Sequence, residues 1–195
     1  SINPDALFLM RHSAAHVMAE AIQRIVPQAQ LVYGPPLATG FYYDIRFPDD
    51  RPLRESDFAA IEAEMKKIVA EDRKFNRYEV AVKAGMQKLL NEENKYKVDN
   101  ACRAMDAAAK GLPDSEVQTM DLVTHDAERG ASNQGFRTPR NGSLSFYATG
   151  EPGKNWEDLC RGPHVPSTGR IGAIKVTSLA SSYWHGDEKS DRLTR

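Results

Sequence analysis

The segment L-M-R-H-S-A-A-H-V-M-A-E-A-I, residues 9–22, sets His12 and His16 four apart in a pattern that predicts a helix. Each helical residue advances about 100°, so the two imidazoles share one stripe. The apolar side centres near Ala14 and Ala21, which leaves the histidines facing either solvent or the wall of a cleft. Cys160 and His164 are also four apart, in D-L-C-R-G-P-H-V-P-S-T-G at 158–169. Gly162 and Pro163 between them exclude a regular helix and predict a tight turn that presents thiol and imidazole together. Three imidazoles and a thiol are the ligand types of a tetrahedral zinc site. Read singly, the same residues are a polar helix face, a small buried thiol and a turn imidazole, with Asp158 capping a turn.

The elements that must hold these groups can be read from periodicity. Met10, Ala14, Val17, Met18, Ala21, Ile22 and Ile25 recur at helical spacing until Pro27, predicting a helix from about Asp5 to Val26. Residues 31–47 predict two short strands around a turn with Gly34, Pro35, Pro36 and Gly40. Phe58, Ile61, Met65, Ile68 and Val69 form the stripe of a second helix, with Ser56 as its N-cap. A strand over 76–83, a short helix from Ala84 to about Asn91 and an extended K-Y-K-V at 95–98 follow. Residues 99–142 read as an insertion or mobile excursion containing a short helix at 101–110. Their latter part is rich in Gly, Ser, Asn, Arg and Pro, with Arg129, Arg137 and Arg140 in it. Strands are predicted again at 143–149, around Ile171, Ala173, Lys175 and Val176, and from Ser182 to His185. Helices first and strands later, without βαβ alternation, predict an α+β fold with an antiparallel sheet flanked by helices.

Composition narrows the function classes. The chain has 195 residues, 41% hydrophobic and 27% charged, enough for one core-forming domain spanning 1–195. No run reaches the roughly 18 apolar residues of a membrane span, and the start lacks the pattern of a signal peptide. Two cysteines, Cys102 and Cys160, give no disulfide framework and suggest a reducing, cytoplasmic setting. The net charge of −1 lacks the basic excess of a self-sufficient nucleic-acid binder, so any such substrate is expected to be delivered by another part of a longer protein. A start without Met agrees with that expectation.

H-S-A-A-H at 12–16, G-F-Y-Y-D-I at 40–45, Y-K-V at 96–98, the 158–169 turn and Y-W-H-G-D-E-K-S-D-R-L at 183–193 occur in this order. Together they resemble the editing domain, the second N-terminal module, of bacterial threonyl-tRNA synthetases. The resemblance covers the chain from about Leu7 onward except residues 99–142. It implies the editing-domain α+β fold within a class II synthetase whose aminoacylation core and anticodon-binding domain lie outside this chain. ATP and the catalytic zinc would belong to that core. The implied activity is hydrolysis of mischarged seryl-tRNA(Thr), accepting serine and excluding threonine by its extra methyl. One methyl gives a synthetic pocket only about 1–3 kcal/mol of discrimination, which is why a second sieve is needed.

The resemblance places His12, His16, Cys160 and His164 around the seryl ester at the 3′ end of tRNA(Thr). Lys97 would stabilise negative charge or orient the terminal ribose, and Asp158 would hold the substrate ammonium. Tyr43 would line the cleft, and Gly34 would be a close-approach backbone position. His16 is the expected proton acceptor, while a Cys160 nucleophile would add an ester that a labile substrate does not require. No cofactor is implied for editing. Zinc on the four His/Cys groups belongs to the alternatives, an alanyl-type seryl-tRNA deacylase or a non-catalytic zinc-stabilised tRNA-binding module. The full enzyme is expected to dimerise through its core and this chain to be monomeric. His185 departs from the family's arginine after the tryptophan.

Overall fold

The computed structural model describes residues 4–109 and 142–195. Helix α1 spans Pro4–Ile25, with a proline at its first position, Asp5 in the first turn and Pro27 just beyond its end. The chain then makes four short strands where two were predicted: β1 (Gln30–Tyr33), β2 (Pro36–Leu37), β3 (Gly40–Phe41) and β4 (Asp44–Arg46). Helix α2 (Phe58–Ala70) follows a 3-10 turn at Glu55–Asp57. Its entry is fixed by Asp57, not Ser56. The Asp57 carboxylate accepts the Arg54 N–H at 2.9 Å and pairs with Arg51.

Strand β5 (Phe75–Ala81), helix α3 (Val82–Asn91) and helix α4 (Lys95–Ala109) complete the first half. The expectation of extended chain at 95–98 is overturned, because Asn94 caps a helix there. Its Oδ1 accepts the N–H of Tyr96 at 3.1 Å, and its amide donates to Leu31 O at 2.9 Å. Helix α4 also absorbs the start of the expected excursion at 99–142 and the short helix expected at 101–110. Residues 110–141, with the three arginines noted above, lie outside the described residues.

After them come β6 (Ser143–Thr149), β7 (Glu157–Leu159), β8 (Ser181–Tyr183) and β9 (Arg192–Thr194). All strand pairs are antiparallel, in a four-stranded sheet β1-β4-β9-β8, a β2-β3 hairpin and a three-stranded sheet β5-β6-β7. The fold is thus α+β with antiparallel sheets. The strand predicted around Ile171–Val176 does not form. Ile171, Ile174 and Val176 instead pack on the main core, and Val176 N–H donates to Glu62 Oε1 at 2.9 Å. The alternation there is satisfied by α2 and the core in place of a ladder. Among the described residues, no helix is long and apolar enough to cross a membrane.

Two cores sit on opposite faces of β5-β6-β7. Side chains alternate across a strand, so Tyr78, Val80, Leu144, Phe146 and Leu159 face Leu89 of α3 and Ala101 of α4. Phe75, Tyr147, Thr149 and Asp158 belong to the other face by the same register. That face meets α1, whose Ala14, Val17, Ala21 and Ile22 also pack against Ile61, Met65 and Ile68 of α2. Between Ser13 and Ile22 helix α1 is therefore covered all round, while Asp5, Ala6 and Arg24 near its ends are exposed. Its non-apolar stripe, with Ser13, His16 and Glu20 buried, faces protein and not solvent.

Candidate active site

The His12–His16 stripe of α1 meets the turn after β7, which closes over it. Cys160 Sγ lies 3.5 Å from His12 Nε2 and 3.3 Å from His164 Nε2. His12 Nδ1 lies 3.0 Å from the Pro163 carbonyl, and His164 Nδ1 lies 3.0 Å from Ser13 Oγ. The same Ser13 oxygen accepts the Val165 N–H at 3.0 Å, so one small side chain of α1 holds the His164–Val165 end of the turn. Gly162 has φ 73°, and a side chain there would run into the Tyr147 hydroxyl and ring.

The imidazoles are packed as rings as well as hydrogen-bonded. His164 stacks between His12, with centroids 4.1 Å apart, and Phe75, at 4.8 Å. Tyr147 meets it edge-on at 4.5 Å. His16 is 3% exposed and edge-on to Trp156 at 5.5 Å, while Trp156 Nε1–H is held by Gln23 at 2.7 Å. Among the described residues, His16 Nδ1 is buried with no hydrogen-bond partner.

Beside this cluster lies a buried polar triad. Tyr43 donates its hydroxyl to Asp158 Oδ2 at 2.6 Å, and Lys97 Nζ reaches Asp158 at 2.8 Å and Tyr43 Oη at 3.0 Å. Helix α4 can deliver Lys97 because its first turn lies between the two sheets. Tyr96 packs with Val32 and Leu193, while Ala101 packs with Leu144 and Phe146. Gly34 is needed for the close approach of Tyr43. A Cβ at residue 34 would overlap the ring, with Cγ only 2.7 Å away. Arg11, adjacent to His12, donates to the Leu37 and Ala38 carbonyls and ties the β2-β3 hairpin to α1.

Electrostatics keep the cluster neutral. Burial lowers His12 to a pKa of about 4 and His16 to about 3, with the Asp158 charge opposing both shifts. Burial and the neighbouring imidazoles push His164 well below its ordinary value. Burial raises the Cys160 thiol to about 12, and the nearby Asp158 charge adds to that. Asp158 is the anion of the site. Its burial works against ionisation, but Lys97, His16 and the Tyr43 hydroxyl together hold its pKa below the usual carboxylate value.

The four His/Cys groups could hold a metal, their ligand atoms all lying within 4.8 Å of one another. Zn–N and Zn–S bonds of about 2.0–2.3 Å imply tetrahedral edges of roughly 3.3–3.6 Å. The two sulfur–nitrogen separations of 3.5 and 3.3 Å match those edges. His12 also shows the outer partner usual for a ligating imidazole, a backbone carbonyl on its other nitrogen.

The structure thus brings together His12, His16, Cys160 and His164, with Tyr43, Lys97 and Asp158 beside them and Gly34 beneath Tyr43. Sequence reasoning did not single out Ser13, Phe75, Tyr147 or Trp156. The signal for Ser13 was its place inside the H-S-A-A-H segment.

Comparison with known proteins agrees with this architecture. Residues 144–195 match the family described as the threonyl and alanyl tRNA synthetase second additional domain. The threonine–tRNA ligase of Clostridioides difficile is 36% identical over 187 residues, covering 96% of this chain and 23% of the relative. Those of Natronomonas pharaonis and Streptomyces griseus are each 37% identical over 191 residues, covering 98% of this chain and 23% and 26% of the relatives. The chain spans about a quarter of the length of these curated relatives. An editing or tRNA-binding role is supported by the match. Residues 144–195 belong to the threonyl and alanyl tRNA synthetase second additional domain family, and nearly the whole chain is similar to one stretch of threonine–tRNA ligases.

Proposed function

We propose that this chain is the proofreading module of a threonine–tRNA ligase and hydrolyses the ester of seryl-tRNA(Thr). The observation that carries the reading is the buried His16 Nδ1, which has no hydrogen-bond partner among the described residues and is set among groups that already satisfy one another. Water attacks the ester carbonyl and gives its proton to His16. A carbon–oxygen bond forms to water, the ester bond to the ribose oxygen breaks, and that oxygen takes the proton back. Burial keeps His16 neutral at pH 7, and the Asp158 charge favours the imidazolium as it forms. Lys97 and the Tyr43 hydroxyl stabilise the developing oxyanion or orient the ribose. Asp158, shared between those two groups and 7% exposed, fixes their positions. This differs from the expected role of holding the substrate ammonium. Threonine is excluded because its extra methyl has to fit against packed imidazoles.

A zinc ion held by His12, His16, Cys160 and His164 would supply a Lewis acid when bound. All four ligands together would close its coordination, the pattern of a structural site. That donor set favours the second reading, a zinc-stabilised tRNA-binding module.

The test uses this chain with tRNA(Thr), or an acceptor-stem minihelix, charged with serine or threonine. Hydrolysis of the seryl ester at least tenfold faster than the threonyl ester, lost in His16→Ala, is expected. Equal rates would remove the sieve. Binding without hydrolysis, dependent on zinc, would establish the second reading instead.

A further inference from the structure

The hydrogen-bonded ring through the site has two fixed ends. Val165 N–H can only donate, and it donates to Ser13 Oγ. The Pro163 carbonyl can only accept, so His12 Nδ1 carries a hydrogen and its Nε2 is a lone pair. That lone pair faces Cys160 Sγ, whose single hydrogen therefore goes to His12. The sulfur then accepts from His164 Nε2–H, which leaves His164 Nδ1 bare to accept the Ser13 hydroxyl hydrogen. Reversing the Ser13–His164 link would turn two imidazole lone pairs towards one thiol hydrogen, leaving one of them unsatisfied in a buried site.

We infer that Ser13 is a positioning residue that sets His164 as the Nε2–H tautomer and, through Cys160, completes a ring running from Val165 N–H to Pro163 O. His12 and His164 then have both nitrogens engaged. His16, whose Nδ1 has no partner among the described residues, stays available for the water proton. Its catalytic consequence rests on the deacylase reading above, but the hydrogen order does not. Ser13 is fully buried and, among the described residues, touches the ring through His164 and Val165, so it acts through other groups.

The experiment is long-range proton–nitrogen correlation NMR on the ¹⁵N-labelled, metal-free chain, with Ser13→Ala and Ser13→Thr. In the wild type His12 is expected as the Nδ1–H tautomer and His164 as Nε2–H. Ser13→Ala should give a mixed His164 tautomer and a roughly tenfold fall in deacylation kcat with little change in KM. Ser13→Thr should restore both. His164 found as Nδ1–H in the wild type overturns the proposal, even if Ser13→Ala fails to fold. Unchanged tautomer and rate in a folded Ser13→Ala chain overturns it too. Assigned tautomers as expected with no hydrolysis of either ester would sustain the ring and remove the deacylase.

Discussion

The ring of Tyr43 lies over Gly34 so closely that residue 34 has no room for a side chain. The hydroxyl of that ring reaches Asp158, so a backbone position on one side of the fold sets a buried hydrogen bond to β7. Gly34→Ala must displace the ring. Overpacking of this kind costs about 1–3 kcal/mol, and the hydroxyl would move off Asp158. The expected result is a lower urea midpoint and a loss of seryl-ester hydrolysis larger than that of Tyr43→Phe, which removes the hydroxyl without displacing the ring.

Lys97 and Asp158 are each nearly fully buried and 2.8 Å apart. Removing one leaves the other charge without its partner, typically a loss of 3–5 kcal/mol. Asp158→Asn and Lys97→Met should each destabilise by about that much. The double variant should lose clearly less than the sum, because no orphan charge remains. Additive losses in urea unfolding would show that the pair is not coupled.

What the sequence revealed follows from the range of the interactions. His12/His16 and Cys160/His164 are local pairs, and a helix period or a Gly-Pro turn is enough to show that each pair points one way. Their meeting across 144 residues is non-local; the ligand types of the two pairs allowed it and the resemblance implied it. Lys97 shows the limit. K-Y-K-V reads as extended, yet Asn94 caps a helix whose position depends on Leu31, 63 residues away. The alternation at Ile171–Val176 misled for the same reason. It records burial against α2 and the core, which a strand pattern mimics. Ser13 was missed because serine in a helix is ordinarily neutral, and its value here comes from the turn it meets.

Cys160 should be a poor nucleophile in the metal-free chain. With its thiol raised to about 12 by burial, almost none is thiolate at pH 8. Iodoacetamide at pH 8 should label Cys102 faster than Cys160, read by peptide mass spectrometry. Faster labelling of Cys160 would return it to consideration as the attacking group.

Chelation separates the water-positioning reading from the zinc reading. Deacylation by the chain dialysed against a chelator is expected to stay within about twofold of the untreated rate, and added zinc should slow it by occupying His16. Loss on chelation with recovery on zinc would instead identify a metal-dependent site held by the same four residues.

Glu157, next to Asp158 on β7, ties the strand to α3 through Lys88 and to β5 through the Tyr78 hydroxyl, the latter at 2.7 Å. Partial burial works against its ionisation, but Lys88, Tyr78 and the Gly153 N–H outweigh that and lower its pKa. A carboxylate with a depressed native pKa binds its proton more readily in the unfolded chain. Its stabilisation is therefore complete above the unfolded value near 4.5 and is lost as pH falls through the lower native value. Glu157→Gln should thus cost about 1 kcal/mol at pH 7, discounted for partial exposure. The gap between variant and wild type should close as the pH is lowered below 4. Urea unfolding at pH 7, 5 and 3.5 reads this directly, and a gap that widens with acid would mean that Glu157 is not held as an anion by Lys88 and Tyr78.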